Sequence, residues 1–225
     1  MSLPLDPPRR DRAPEQLPVS DAPDLPHPVL GWRTWRVGRR ARQRTDLVAP
    51  LAGVTWPSRQ PMVASCGSAR HTPPGDGCAC GLYAVAEPGA LQWGISDHEV
   101  LGVVALWGQI VEGGRGWRAS HAYPRFVLTG PAIAGEQRAA ISRRYGVPVH
   151  RSEVPPRDLA ALLGAEPAVA DRLRRGDEAE IEAVLTERMP GWTQRWHERR
   201  AQAEAAAAAA SRGPRAVLAG LWRRG

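Results

Sequence analysis

Four side chains with metal-binding chemistry lie close together in the middle of the sequence: Cys66, His71, Cys78 and Cys80. Their spacing is C-x4-H-x6-C-x-C, and it takes in all 3 cysteines of the chain. Three thiolates and one imidazole make a complete tetrahedral ligand set, the kind that holds structural zinc. Zn²⁺ accepts sulfur and nitrogen, whereas Mg²⁺ and Ca²⁺ prefer oxygen. The sequence therefore predicts a zinc site, and four protein ligands indicate a structural site with no open catalytic position.

Other interpretations of these residues are weaker. A disulfide would leave one of the three thiols over, and Cys78 and Cys80 are too close in sequence to pair without strain. The N-terminus has no apolar signal core that would favour an oxidising compartment. His71 as an ordinary loop histidine, with the cysteines as small buried side chains, remains the simplest alternative. The segment is rich in proline and glycine, however, which argues against burial in a regular core.

The charge of the chain is uneven along the sequence. All 30 basic residues are arginine, and they outweigh 23 acidic residues to give a formal net charge of +7. Residues 47–129 are neutral overall, so the excess lies in the two flanks. Nucleic-acid binding is expected to show as a basic face or stripe. Such a surface, if the chain has one, is therefore not expected on the central part.

Hydrophobic patterning predicts a mainly antiparallel, zinc-stapled α+β domain at residues 29–150. A first strand at 29–37 alternates two faces, with Trp32 on one and Trp35 on the other. Residues 100–111 are apolar on both faces, as in a central strand that is covered on two sides. A glycine-rich hairpin turn leads to a strand at 117–123, and a further short strand is predicted at 126–128.

Helices are predicted after these strands. An amphipathic helix at 136–145 ends at Gly146, and the residues expected to face inward are Ala139, Ala140 and Ile141. Residues 151–225 form a helical tail in this prediction, with Trp192 and Trp196 on one face of a helix that begins near Gly191. The proline-rich residues 1–28 are expected to be disordered.

The central part also resembles a known group of proteins. The motifs that carry the resemblance are Gly31-Trp32-Arg33-Thr34-Trp35, Trp56-Pro57, the four metal-binding residues with Gly81-Leu82-Tyr83-Ala84, Leu106-Trp107-Gly108 and Gly116-Trp117-Arg118-Ala119. Together they resemble small uncharacterised Cys3His zinc-loop proteins of actinobacteria and their phages, over about residues 29–150. The resemblance implies a single metal-stapled domain, and it implies no particular activity.

The tail offers one alternative function. Residues 157–175 read as two short helices joined by a turn, similar to a helix-turn-helix that places its second helix in the major groove of DNA. Ala170 is small for the core of such a pair, and Asp171 would face DNA phosphate, so a plain helical hairpin is favoured. The residues that would contact nucleic acid are Arg157, Arg172, Arg174 and Arg175.

An enzyme centred on His121 is the second alternative. His121 shares a predicted strand face with Trp117 and Tyr123, and the other candidate acid–base groups are Asp97, His98, Glu99 and Glu112. A histidine among aromatic residues is more often packed than catalytic, and the sequence contains no nucleophile elbow, zincin helix or P-loop. The preferred prediction is therefore a non-catalytic zinc-binding interaction or regulatory module. We expect it to be cytoplasmic, without a membrane span, and to recognise a protein partner through exposed tryptophan and arginine side chains.

Overall fold

The computed structural model describes residues 27–38, 45–67, 71–75, 77–91 and 99–211. The disorder predicted for the proline-rich start therefore lies almost wholly outside the described residues, as does the end of the tail. The described chain contains seven strands: β1 Val29–Val37, β2 Leu47–Val48, β3 Met62–Val63, β4 Leu82–Val85, β5 Glu99–Gly113, β6 Gly116–Thr129 and β7 Val149–Arg151. It also contains four α-helices: α1 Gly135–Tyr145, α2 Pro156–Gly164, α3 Pro167–Arg175 and α4 Glu178–Ser211. The predicted α+β class, a mainly antiparallel sheet followed by helices, is confirmed.

The strands curl into a closed ring. The long hairpin of β5 and β6 is its centre, and β1 runs antiparallel to β5 from Val29, opposite Leu106, to Arg36, opposite Glu99. β4 pairs with the other edge of β6, and it also meets β1 at the bridge between Trp32 and Val85. The order β1, β5, β6, β4 thus returns to β1. β7 is the parallel member of the sheet, beside the end of β6.

Two short strands follow each other along one edge of β6, and this arrangement positions the cysteines. In β3, Met62 lies opposite Ala122, whereas in β4 Leu82 lies opposite Ala119. The Ala64 amide continues the first pairing by donating to the Ser120 carbonyl at 2.8 Å. The chain therefore leaves the edge of β6 after β3 and returns to nearly the same point at β4. We call the intervening residues 66–80 the metal loop.

Each face of the sheet contributes to a buried hydrophobic cluster. One face joins α2, α3 and α4 in a cluster that includes Trp32, Phe126, Leu159, Leu163 and Trp192. The other joins α1 and the chain around Trp56 in a cluster that includes Trp35, Val104, Leu106, Ile141 and Tyr145. Trp32 and Trp35 thus face opposite clusters, as the alternation in β1 predicts. The helical tail packs directly on the sheet, while the predicted division of the chain at residue 150 stays a prediction.

Three details differ from the sequence-based prediction. β6 continues through Pro124, so the separate strand predicted at 126–128 is wrong; a shift in register between Val103 and Val104 accommodates the proline. In α1 the buried side chains are Ile141 and Tyr145, whereas Ala139 is exposed. The last helix begins at Glu178, not near Gly191, and it continues through Pro190.

α4 is a single helix of 34 residues. Its first half contacts the core through Ile181, Val184 and Trp192, whereas residues 197–206 are exposed around the whole helix. Among the described helices, none combines the length and the apolar composition that crossing a membrane requires.

Candidate metal centre

The metal loop brings all four predicted ligands together. One donor atom from each of Cys66, His71, Cys78 and Cys80 lies within 4.8 Å of the corresponding atoms of the other three. The Cys66 and Cys78 sulfurs are 3.7 Å apart, and the Cys80 sulfur is 3.9 Å from Nε2 of His71. No disulfide joins any two of the three cysteines, because a disulfide would need a sulfur–sulfur distance of about 2.05 Å.

These distances fit a tetrahedral metal site. With zinc–sulfur bonds of about 2.3 Å, the sulfurs of a regular tetrahedron lie about 3.8 Å apart. With a zinc–nitrogen bond of about 2.05 Å, sulfur and nitrogen lie about 3.6 Å apart. The observed 3.7 Å and 3.9 Å are close to these edges. The four side chains are arranged to hold one metal ion, and a sulfur-rich donor set with one imidazole suits Zn²⁺.

Neighbouring backbone groups orient the imidazole. Nδ1 of His71 lies 3.3 Å from the Thr72 carbonyl oxygen, to which it donates when it carries the ring proton, and this hydrogen bond raises the pKa of His71 above its ordinary value. Nε2 is then left with a lone pair that points towards the cysteines, the usual arrangement for a metal-binding histidine. Gly75 lies against the ring, and a Cβ at this position would overlap it. Glycine is therefore needed here for close approach, not for an unusual backbone angle.

The same glycine also contacts a thiol. The Gly75 amide donates to the Cys80 sulfur at 3.4 Å, and its carbonyl accepts from the Cys78 amide at 3.3 Å. One tight turn around Gly75 thus contacts three of the four ligand residues.

Side chains from the sheet hold the other side of the metal loop. Arg118 of β6 donates through Nη1 to the carbonyls of Cys78 and Cys80, the second at 3.0 Å. Tyr83 of β4, which lies opposite Arg118 in register, donates from its hydroxyl to the Ala79 carbonyl. Three consecutive carbonyls, from residue 78 to residue 80, therefore accept hydrogen bonds from the sheet.

A second arginine contacts the backbone of Tyr83. Arg33 of β1 donates to the Tyr83 carbonyl, and its guanidinium carbon lies 5.1 Å from the ring centroid of Trp56. Burial lowers the pKa of Arg33 to about 10. Sequence reasoning missed the supporting roles of both Arg33 and Arg118. The sequence feature that could have indicated these roles is an arginine in the middle of a strand that is otherwise aromatic and apolar.

His121 lies away from the metal loop, on the part of β6 that pairs with β3. Its ring stacks on Trp107 with centroids 5.9 Å apart, and Nδ1 is 2.9 Å from the Ser120 hydroxyl. Gly108, with φ +75°, makes room for this pair, because a Cβ there would overlap the hydroxyl. Within the described ranges, no carboxylate forms an ion pair with His121. The structure thus holds it as a stacked, hydrogen-bonded side chain.

Two of the other four acid–base candidates are described by the structure, and neither forms an ion pair with His121. Asp97 and His98 are outside the described residues. Glu99 is buried at the start of β5, 3.5 Å from Arg36, and Glu112 is exposed near the hairpin turn. Tyr123, which was predicted to share the His121 face, donates its hydroxyl to the Tyr145 carbonyl at 2.7 Å.

The tail arginines are on α2 and α3, and the structure shows where each points. They are Arg157, Arg172, Arg174 and Arg175. Arg157 is exposed on α2, and Arg172 pairs with Glu180 at 2.9 Å.

Arg174 connects α3 to the sheet. It donates to the Leu30 carbonyl at 2.9 Å, and both Arg174 and Arg175 pair with Asp171. α3 is therefore fixed to β1 by one of the proposed contact residues. A nucleic-acid role for this pair of helices stays a prediction.

Comparison with known proteins adds nothing to this geometry: no family model, no curated protein and no solved structure matches the chain. The resemblance to Cys3His zinc-loop proteins thus stays a prediction, and the site is interpreted from its own atoms. The metal loop of this chain is a Cys3His centre whose four donor atoms are arranged to hold one metal ion.

Proposed function

We propose that this chain is a non-catalytic zinc-binding interaction module, in which Cys66, His71, Cys78 and Cys80 hold one structural Zn²⁺. The observation that carries the proposal is the match between the 3.7 Å spacing of the Cys66 and Cys78 sulfurs and the edge of a zinc–thiolate tetrahedron. The donor set is complete with protein atoms. A structural ion needs no further ligand, whereas a catalytic zinc keeps one position for water or substrate.

The position of the metal loop explains how the ion would stabilise the fold. In the folded chain, β3 and β4 hold the two ends of the loop together on β6, so metal binding needs no further loss of entropy to close the loop. The unfolded chain must close the same 15 residues, from Cys66 to Cys80, before it can bind metal. Closing a loop of this length costs about 3 kcal/mol. Zinc therefore prefers the folded chain and stabilises it by mass action.

The interaction role rests on one partly exposed row of side chains. Val63, His121 and Trp107 lie side by side on neighbouring strands β3, β6 and β5, and Val63 is 57% exposed. Other tryptophans are unsuited to recognition because they are fully buried: Trp32, Trp35, Trp56 and Trp192. This row begins three residues before Cys66, so an ordered metal loop also orders its edge. We assign the recognition of a protein partner to this row.

The metal part of the proposal is tested by adding Zn²⁺ to metal-free full chain and following thermal unfolding. We expect saturation at one ion per chain and a rise in Tm that a chelator reverses. An unchanged Tm, or binding of several weak ions per chain, would contradict a single structural site.

The interaction part is tested with Trp107→Ala, using Trp117→Ala, on the same hairpin, as the control. Proteins bound by immobilised wild-type chain should be lost with the first variant and kept with the second, while both variants stay folded. Binding that is unchanged in Trp107→Ala would contradict the assignment.

A further inference from the structure

The contact between Arg118 and the metal loop has a consequence for the metal site itself, and this inference rests on the proposed zinc function. The guanidinium donates to two carbonyls that belong to two different ligands, Cys78 and Cys80. These two cysteines are separated by one residue, and their sulfurs must reach two corners of the same tetrahedron. The orientation of the short segment between them therefore decides whether both sulfurs bind one ion.

The structure assigns to Arg118 the role of a positioning residue that sets the orientation of the Cys78–Cys80 segment and with it the affinity for the metal. Both hydrogen bonds come from Nη1, whose two N–H donors lie in the guanidinium plane and therefore point in fixed directions relative to each other. A lysine ammonium also has enough donors, but they rotate at the end of a flexible stem, so it would hold the two carbonyls less rigidly. The arginine is part of a regular strand, so its own backbone is fixed by pairing with β4 and β5.

Charge supports the same assignment. Three thiolates and one neutral imidazole around a divalent ion leave the centre with a net charge of −1. Arg118 brings one positive charge to the backbone of two of the three cysteines. The neighbouring tyrosine donates to the intervening carbonyl of Ala79 but carries no charge. Arg118 is thus the sheet residue here that both holds the segment and offsets its charge.

The close approach between the Cys78–Cys80 segment and Arg118 depends on a glycine that follows the segment. Gly81 directly follows the last ligand and has φ +126°, a conformation that favours glycine. A Cβ at Gly81 would come within 3.1 Å of the Arg118 Cβ and 3.2 Å of the Pro74 Cβ. Glycine at this position lets the ligand segment lie directly against β6, within reach of the arginine.

The test uses full-length variants Arg118→Gln and Arg118→Lys, with Arg125→Gln as the matched control. Arg125 is on the same strand and also donates to backbone carbonyls, but those carbonyls belong to Arg175 and Gly176 at the end of α3. Zn²⁺ affinity is measured by competition with a chelator, and ligand geometry by the visible spectrum of the Co²⁺-substituted protein. We expect Arg118→Gln to bind Zn²⁺ about 10–100-fold more weakly, as for other residues that orient metal ligands, and to show an altered Co²⁺ spectrum. Arg125→Gln should match the wild type in both measurements.

Arg118→Lys keeps the positive charge but would hold the two carbonyls less rigidly, so its affinity should fall between those of Arg118→Gln and the wild type. Wild-type affinity and an unaltered Co²⁺ spectrum in Arg118→Gln would overturn the assignment. If Arg118→Gln does not fold, Arg118→Lys decides the question, and wild-type affinity in that variant would overturn it. A wild-type chain that binds no metal would instead refute the proposed zinc function, so the two failures are distinguishable.

Discussion

Replacing one ligand of the metal loop should cost the fold a predictable amount of free energy. In Cys78→Ser the ion loses one of its four donors, and the variant should behave as the metal-free protein does. The cost follows from the topology, because the folded sheet holds together the ends of a 15-residue loop that the unfolded chain must close by itself. That closure is worth about 3 kcal/mol. For a chain of about this size, a loss of 3 kcal/mol lowers the Tm by about 6–12 °C.

The assay is thermal unfolding of wild type and Cys78→Ser, each with excess Zn²⁺ and with a chelator. The chelator should lower the Tm of the wild type by the amount that the substitution does, and it should have no effect on the variant. Cys78→His keeps a ligand of a type that zinc accepts, and it should recover part of the loss. Ser65→Ala, next to the metal loop, controls for a small change at a neighbouring position. If the variant is as stable as the wild type in excess Zn²⁺, or if the chelator destabilises it as strongly as it does the wild type, Cys78 does not stabilise the fold through the metal.

Three further predictions concern the metal loop, the pH dependence and the helical tail. Gly75→Ala should weaken Zn²⁺ binding by about 10-fold or more, because its Cβ would overlap the His71 ring. Gly67→Ala is the control and should bind Zn²⁺ normally, because a Cβ at that position meets nothing within 4 Å. Equal Zn²⁺ affinities of the two variants would contradict a close contact between Gly75 and the ring. Burial lowers the pKa of His150 despite Glu182 at 3.5 Å, so the unfolded chain binds this proton more readily than the folded one. The stability that neutral His150 contributes is then complete above about pH 6.5 and falls as the pH drops below that value. Denaturant titrations should show a smaller loss of stability at low pH in His150→Asn than in the wild type. Identical pH profiles would show that His150 does not cause the loss. Trp192→Ala should lower the free energy of unfolding by about 3–5 kcal/mol, since the ring is fully buried and its N–H donates to Glu166 at 3.1 Å. Urea unfolding measures the loss, with Gln202→Ala, at an exposed position, as the control. A loss below about 1 kcal/mol would mean that the tail is not part of the core.

The ligands were predictable from sequence because they are local. All four lie within 15 consecutive residues, so spacing and donor chemistry suffice to propose that they meet. Arg118 is 40 residues from Cys78, and its contact with the metal loop depends on the pairing of β4 with β6. Strand pairing between distant segments is not readable from local pattern. The supporting residues of the site were therefore missed, although the four side chains that meet in it were predicted.

Element type was also more predictable than element length. β1 and β5 show strong alternation or continuous apolar character, and both were located correctly. The errors at β6 and α4 have one feature in common, since each of these elements continues through a proline near the place where the prediction divided or began it. Pro124 lies at a register shift of the sheet, and Pro190 is on an exposed part of α4 while Trp192 and Leu185 are buried on either side of it. Packing of the flanking residues outweighed the local preference of proline.

Metal analysis of the purified protein would show whether four side chains of one loop bind a single metal ion. Full-length protein, prepared without added chelator, is assayed for bound metals by mass spectrometry and for free thiols before and after unfolding. We expect one Zn²⁺ per chain, with three thiols that react rapidly only when the metal is removed. A metal-free protein whose three thiols react equally fast with and without added Zn²⁺ would contradict this expectation.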